Sequence, residues 1–179
     1  MKVRLDRLGD EPFAWQEALE LSHEDLEHPD LTGLSEIRCR GRIGRTTTGF
    51  LLELALSYEQ TLACTRCLGE SASRVDAQVD LAVEVDDEKA RRGEPADDYE
   101  LAHEDLGVLV LPAPQLDTRP LVVEQVELHV PMKWLCREEC AGLCPECGAD
   151  LNAGKCDCEP AADPRWAALA RLKEKSGTA

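Results

Sequence analysis

Alternating hydrophobic and polar positions predict a strand that begins near Glu36. Every second side chain from Ile37 to Ile43 is small or apolar, and the residues between them are Arg38, Arg40 and Arg42. A period of two places alternate side chains on opposite faces of a sheet. We therefore expect one buried face, which includes Cys39, and one basic face.

Two further strands follow with the same alternation. Apolar residues recur at every second position from Phe50 to Tyr58, and again from Val75 to Val85. Short turns between the three runs predict an antiparallel meander with one buried face. The CTRC sequence at residues 64–67 separates the second and third runs, so it is expected at the tip of their hairpin.

The pattern is weaker in the rest of the chain. In the first 34 residues only a short strand from Lys2 to Leu8 is predicted, and another strand is predicted at residues 106–111. Residues 86–105 carry nine carboxylates against three basic side chains, so they are expected to form a mobile loop.

Two helices are predicted near the end of the chain. Residues 117–120, DTRP, provide a cap and an early proline for a helix that ends before Pro131, and residues 163–166, DPRW, repeat this start for a helix that ends near Lys175. The expected buried stripe of the first helix is Leu121, Val122, Gln125, Val126 and Leu128. The predicted fold class is α+β, with an antiparallel β-rich core, a few helices and a C-terminal cysteine-rich segment similar to a zinc ribbon.

Cysteine is concentrated between residues 136 and 158, which hold six of the nine cysteines. A hydrophobic core would scatter cysteines at helix or strand period, whereas these lie among glycine, proline and charged residues. Cysteine pairs in tight turns are typical of Zn²⁺ sites, which take four soft ligands in tetrahedral geometry. Gly148, directly after a CxxC pair, can adopt the positive φ that such a turn needs.

The spacing of the cysteines predicts two sites with four sulfurs each. One set is contiguous and consists of Cys144, Cys147, Cys156 and Cys158. The other joins two separated pairs, Cys64 with Cys67 and Cys136 with Cys140. A cross-brace, in which Cys136 and Cys140 share a metal with a downstream pair, has compatible spacing too. Disulfides, or a single zinc ion with spare thiols, are further alternatives, and Cys39 is left over.

The formal net charge of −16 and the pI near 4.6 bear on the partners of the protein. Nucleic-acid affinity comes largely from lysine and arginine, so we expect bulk nucleic acid to be repelled and a basic protein to be the easier partner. Aromatic residues make up 4% of the chain, so platforms for base stacking are scarce. A local RNA-binding patch stays open as an alternative, formed by Arg38, Arg40, Arg42, Lys133 and Arg137.

The N-terminal sequence has no apolar region of the kind found in signal peptides, and the longest apolar run is far too short to span a membrane. We therefore expect a soluble, cytoplasmic chain without a small-molecule substrate. In a reducing compartment, clustered cysteines bind metal more often than they form disulfides. Two parts are predicted: a β-rich domain at residues 1–134, and a cysteine-rich segment with the last helix at residues 135–179.

Several short motifs occur in one order along the chain. They are CTRCL at residues 64–68, VPMKWLCREECAGLCPECGADLN at 130–152, CDC at 156–158 and DPRWAALARL at 163–172. With these motifs the chain resembles the YceD family of large ribosomal RNA subunit accumulation proteins, over roughly residues 36–175. The resemblance implies a role in accumulation or processing of large-subunit ribosomal RNA, and so in large-subunit assembly, without enzymatic activity. It also implies that the eight paired cysteines are the metal candidates.

We therefore expect a non-enzymatic ribosome biogenesis factor, in which structural zinc holds a β-rich module that binds a basic ribosomal protein or an assembly intermediate. A thiol redox switch at Cys64 and Cys67 is an alternative, since Arg66 could lower a thiolate pKa there. A zinc enzyme is disfavoured because each candidate site closes on four sulfurs. The histidines also lack the spacing of a catalytic zinc site; they are His23, His28, His103 and His129.

Overall fold

The computed structural model describes residues 1–22, 25–26, 28–86, 88, 107–158 and 165. The strands are β1 (Lys2–Arg4), β2 (Phe13–Leu19), β3 (Leu31–Leu34), β4 (Ile37–Arg45), β5 (Phe50–Ala63), β6 (Glu70–Val85), β7 (Val108–Leu111) and β8 (Gln115–Asp117). A 3₁₀-helix, Leu5–Arg7, follows β1, and an α-helix, α1 (Thr118–Leu128), follows β8.

The three strands with the clearest alternation form the centre of a six-stranded sheet. Its order is β2-β4-β5-β6-β7, and β3 pairs with the end of β5 beyond the part that pairs with β4. β4, β5 and β6 form the predicted antiparallel meander. β7 confirms the strand predicted after residue 106, but it pairs with β6 in parallel. β1 and β8 form a separate two-stranded sheet.

One face of the main sheet is buried, as the alternation predicts. Along β5, Leu52, Leu54, Leu56 and Tyr58 are at most 4% exposed. Val122 and Val126 of α1 belong to the same buried cluster, together with Ile37, Cys39 and Ile43 of β4. The opposite face carries Arg38, Arg40 and Arg42 of β4 and stays open to solvent. We call it the open face.

The prediction for the first 34 residues is confirmed only in part, since the expected first strand forms at Lys2–Arg4. The chain leaves β1 at Leu5 and turns into the 3₁₀-helix, so no strand extends to Leu8, and neither β2 nor β3 was predicted. β2 pairs with β4 along its whole length. Trp15 is its one fully buried residue, and the ring lies directly across from Gly41 and covers the backbone there. Alternation was hard to detect in β2 because Trp15 is its one buried side chain, and Leu19 packs against the core only partly buried.

α1 begins where the sequence predicts. The Asp117 side chain caps it by accepting a hydrogen bond from the backbone N–H of Arg119, at 3.2 Å. The predicted buried stripe is confirmed for Leu121, Val122, Gln125 and Val126. Leu128 is 68% exposed, so its assignment to the stripe was wrong. The helix ends there, and Val130 is the next residue to join the core.

Two sequence predictions fall on parts of the chain that lie outside the described residues. The acidic segment at 86–105 is described only at Asp86 and Glu88, and the last helix near Trp166 is described only at Arg165. The described residues are rich in β-structure, with α1 as the one complete α-helix among them. No helix within the described ranges has the length and apolar character needed to cross a membrane.

Candidate metal centre

Four cysteines from two distant parts of the chain meet beside the β5–β6 hairpin. Cys64 and Cys67 lie at its tip, whereas Cys136 and Cys140 follow α1. The four Sγ atoms all lie within 4.8 Å of one another. Cys64 Sγ is 3.8 Å from Cys140 Sγ, and Cys67 Sγ is 3.7 Å from Cys136 Sγ. We call these four residues the bipartite tetrad.

The remaining paired cysteines form a second cluster, which we call the local tetrad. It consists of Cys144, Cys147, Cys156 and Cys158, whose Sγ atoms also lie within 4.8 Å of one another. The sulfurs are therefore grouped in two sets of four, and Cys136 and Cys140 join the hairpin pair, not a downstream pair. All nine cysteines are free thiols.

The spacing of the sulfurs fits a tetrahedral metal ion. Four thiolates around zinc, each at about 2.3 Å, lie roughly 3.8 Å from one another. The two Sγ distances in the bipartite tetrad match this value. Four sulfurs are also the soft donor set that Zn²⁺ accepts in structural sites. Each tetrad is thus suited to hold one zinc ion through four Sγ atoms.

The two tetrads begin with the same backbone turn. In residues 64–69, the N–H of the fifth residue donates to the carbonyl of the first, and the N–H of the first donates to the carbonyl of the sixth, both at 2.9 Å. Residues 144–149 make the same two bonds, at 2.9 and 2.8 Å. This turn brings the first and fourth residues, which are the two cysteines, close enough to share an ion.

The fifth position of each turn has a left-handed backbone. Gly148 has a φ of 72°, which confirms the predicted positive φ, and Leu68 has a φ of 58°, which the sequence did not predict. A residue with a Cβ loses about 1–2 kcal/mol in this conformation. Leu68 is also 67% exposed, so little burial offsets that cost. The turn therefore holds Leu68 in a backbone conformation that leucine disfavours.

Gly148→Ala is expected to destabilise the metal-bound local tetrad by about 1 kcal/mol, because alanine must adopt the same positive φ. No atom lies within 4 Å of the added Cβ, so crowding does not contribute. The free zinc concentration that half-saturates the local tetrad should rise about fivefold. Gly154→Ala is the matched control, since it also meets nothing within 4 Å and has no positive φ. Equal shifts in the two variants would contradict this account.

The segment that follows α1 is also held against the hairpin by hydrogen bonds that do not involve sulfur. Trp134 Nε1 donates to Ser71 Oγ at 2.7 Å, and the Trp134 carbonyl accepts from the N–H of Thr65 at 2.9 Å. Arg66 Nη1 donates to the carbonyl of Cys140 at 2.8 Å. The spacing of the cysteines does not predict these contacts, so the structural roles of Arg66 and Trp134 could not be inferred from the sequence.

The thiols of the local tetrad differ in acidity before any ion is bound. Backbone N–H groups of Cys147 and Glu146 lower the pKa of Cys144 to about 7. A hydrogen bond with Cys147, together with burial, raises the pKa of Cys158 to about 12. Four ionised sulfurs in so small a volume repel one another, and a divalent cation offsets that repulsion. At neutral pH the four thiols are therefore not all ionised unless a cation is bound among them.

Cys39 stands apart from both tetrads. It lies on the buried face of β4 and is 1% exposed. Burial, and then the nearby Glu17 carboxylate, raise the pKa of its thiol to about 12. This cysteine therefore behaves as a small hydrophobic core residue, as its place in the strand pattern predicts.

The open face carries Arg38, Arg40 and Arg42 side by side, among carboxylates. Arg38 has a side chain that is 82% exposed, and it approaches Glu36 at 4.0 Å. Arg42 forms an ion pair with Glu53 at 3.2 Å. Arg40 lies between them, and the described residues give it no ion pair within 4.0 Å.

Lys133 and Arg137, the other basic residues of the candidate patch, are exposed beside the bipartite tetrad. Arg38 is opposite Ser57 on β5, and the chain reaches Cys64 seven residues later, which is about 23 Å along an extended strand. The five basic residues are therefore divided between two regions of the surface.

The described histidines do not take part in either tetrad. His129 Nδ1 lies 2.7 Å from the carbonyl oxygen of Gln125, at the end of α1. His28 lies in the segment before β3. His23 and His103 lie outside the described residues.

The motifs that suggested a family coincide with both tetrads. The family model described as "Large ribosomal RNA subunit accumulation protein YceD" matches residues 52–173, a span that includes all eight paired cysteines. The chain belongs to the YceD family. Membership confirms the resemblance noted in the sequence, and it supports a role in ribosome biogenesis.

Relatives of this YceD chain come from bacteria and from a plant. An uncharacterized protein of Mycobacterium tuberculosis is 28% identical over 180 residues, which cover 96% of this chain and 81% of the relative. The uncharacterized protein YlbN of Bacillus subtilis is 26% identical over 171 residues, 94% of this chain and 92% of the relative. The Arabidopsis thaliana chloroplast protein named large ribosomal RNA subunit accumulation protein YCED homolog 1 is 32% identical over 62 residues, 34% of this chain and 19% of the relative. No solved structure matches the chain significantly.

Proposed function

We propose that this YceD protein is a non-enzymatic, cytoplasmic factor in assembly of the large ribosomal subunit. In this role it holds a basic ribosomal protein, or an assembly intermediate that contains one, on a β-rich module stabilised by zinc. Family membership connects the chain with large-subunit ribosomal RNA. The observation that selects the type of partner is the net charge of −16, which attracts a basic protein and repels phosphate.

Two structural zinc ions are part of the proposed function. Each tetrad offers four cysteine sulfurs and includes neither histidine nor carboxylate. A zinc ion with four thiolate ligands has no open position for a substrate or an activated water, which is typical of structural sites. An ion in the bipartite tetrad would fix residues 136–140 to the hairpin, and an ion in the local tetrad would hold residues 144–158 in one loop. Both ions would contribute free energy of folding to this part of the chain.

Direct RNA binding is a second candidate, and the row of Arg38, Arg40 and Arg42 on the open face favours it. The carboxylates of Glu53, Asp76 and Asp80 share that face. Glu53 and Asp80 are in register with Arg42, and Asp76 is in register with Arg38. Carboxylates so close to the arginines would repel phosphate groups as they approach. This arrangement supports a protein as the direct partner.

The proposal is tested by measuring how the zinc-loaded full chain binds two ligands, a basic large-subunit ribosomal protein and a fragment of large-subunit ribosomal RNA. Measurements are made at about 50 mM and about 200 mM salt, because binding between opposite charges weakens with ionic strength. We expect the basic protein to bind at low salt and to bind at least about tenfold more weakly at the higher salt. The RNA fragment is expected not to bind at either concentration.

Charge reversal separates the two candidates. The triple variant Arg38→Glu, Arg40→Glu and Arg42→Glu should bind the basic protein at least as well as the wild type. A control with the same change in net charge reverses three exposed bases outside the row: Lys2, Arg4 and Arg7. RNA binding that the first variant abolishes and the control retains would establish the arginine row as an RNA site instead.

A further inference from the structure

Asn152 connects the two tetrads. It lies between Cys147 and Cys156, inside the loop that the local tetrad closes. Outside its own turn, however, the hydrogen bonds that its side chain makes within the described part of the chain go to Arg137, Cys140 and Ala141, the segment that leads into and follows the last ligand of the bipartite tetrad. A residue of one cluster thus contacts a potential metal ligand of the other.

The partners of the Asn152 amide fix its orientation. Its Oδ1 atom accepts hydrogen bonds from the backbone N–H of Ala141 at 2.8 Å and from Arg137 Nη2 at 2.7 Å. Only the oxygen can accept these two bonds. Its Nδ2 atom therefore faces two acceptors, Asp150 Oδ1 at 2.7 Å and Cys140 Sγ at 3.5 Å. The local loop directs an N–H donor at a sulfur of the bipartite tetrad.

Backbone contacts hold the connecting residues 141–143 between the two turns. The N–H of Leu151 donates to the carbonyl of Gly142 at 2.9 Å. On the other side, the N–H of Leu143 donates to the carbonyl of Arg66 at 3.1 Å. A Cβ on Gly142 would lie 3.0 Å from that same carbonyl oxygen, so the chains are in direct contact there. If the local loop becomes more or less ordered, these hydrogen bonds and contacts transmit the change to the bipartite tetrad.

We propose that Asn152 is a positioning residue that couples metal binding at the two tetrads, a coupling that rests on the zinc binding proposed above. An ion in the local tetrad fixes residues 144–158, and with them the amide that donates to Cys140. Hydrogen bonds to a ligand sulfur orient it and stabilise its thiolate form. Because coupling between sites is reciprocal, an ion in either tetrad strengthens binding in the other.

The test measures transfer of zinc from the loaded full-length protein to a chromogenic chelator, with Cys64→Ser and Cys156→Ser used to assign the two release phases. Asn152→Asp keeps an oxygen for Ala141 and Arg137, but it replaces the donor that faces both Cys140 Sγ and Asp150 Oδ1 with a carboxylate oxygen. We expect this variant to bind two ions and to release the bipartite ion at least about tenfold faster than the wild type. The acceleration should persist when Asp150→Asn removes the opposing carboxylate, whereas a purely structural bridge would lose it.

Lys155→Ala is the control, because Lys155 is an exposed residue of the same loop, and it should release zinc like the wild type. The double variant Cys156→Ser with Asn152→Asp distinguishes coupling between the tetrads from a direct effect of Asn152→Asp on the bipartite tetrad. With the local tetrad disabled, Asn152→Asp should accelerate release of the bipartite ion less than about twofold. Asn152→Asp keeps all nine cysteines, so its result stands even if Cys156→Ser does not fold.

Two outcomes would overturn the coupling alone: two ions released at the wild-type rate in Asn152→Asp, or equal acceleration with and without Cys156→Ser. Wild-type protein that is folded and reduced but binds no zinc would overturn the zinc-binding part of the proposed function and the coupling with it.

Discussion

Cys64→Ser and Cys156→Ser are each expected to lose one of two zinc ions per chain, because each substitution removes one of the four sulfurs of a different tetrad. A structural zinc ion contributes its binding free energy to folding, so each loss should destabilise the segment that the ion fixes by at least about 3 kcal/mol. Elemental mass spectrometry of protein purified without chelator gives the metal content. Chemical unfolding gives the loss of stability.

Cys39→Ala provides the matched control, since Cys39 is the one cysteine that belongs to neither tetrad. It should retain both ions, although the buried site loses some packing. Two ions retained in Cys64→Ser would show that the hairpin pair does not bind metal. Loss of both ions in either single variant, with the fold intact, would contradict the expectation that each tetrad binds its own ion.

Gly41→Ala should lower the free energy of unfolding by about 3 kcal/mol, since overpacking of a tightly filled core site is costly. Trp15 of β2 lies directly across from Gly41, and a methyl group there would overlap the benzo ring of the indole. The ring cannot move aside without leaving the core, so β2 must shift away from β4. Urea unfolding of both proteins measures the difference.

Gly44→Ala tests the same strand without the overlap. A Cβ at Gly44 would meet Pro12 at 3.4 Å, which is ordinary contact, so a change within about 0.5 kcal/mol is expected. In a Trp15→Ala background, Gly41→Ala should lose most of its effect, since residues in contact are energetically coupled. Similar costs for the two glycine substitutions would contradict the packing described for Trp15.

The central strands were predictable because each buries one face over many residues. Alternation in β4 and β5 continues for at least seven positions, which identifies the buried face of each strand. β2 lacked such a signal, because its position depends on Trp15 meeting a glycine that lies far along the chain. The parallel direction of β7 depends on the path of the connection from β6, which alternation does not encode.

The division of the paired cysteines into two sets of four could be predicted, because two cysteines separated by one to three residues reach a single ion. Which pairs share a site could not, since the spacing also allowed a cross-brace of Cys136 and Cys140 with a downstream pair. The contacts that surround the sulfurs were not predictable in this way. Leu68 adopts a backbone conformation that leucine disfavours, and Asn152 contacts a cysteine outside its own loop. Both depend on how the hairpin and the cysteine-rich segment pack together.

Translation imposes an order on the assembly of the bipartite tetrad. Cys136 is 69 positions after Cys67, and a ribosome needs about 3–14 seconds to add that many residues. During this interval the hairpin turn has two thiols and no partners for them. A nascent chain that stops before Cys136 would keep these thiols open to oxidation, whereas the local tetrad receives all its ligands within about 3 seconds.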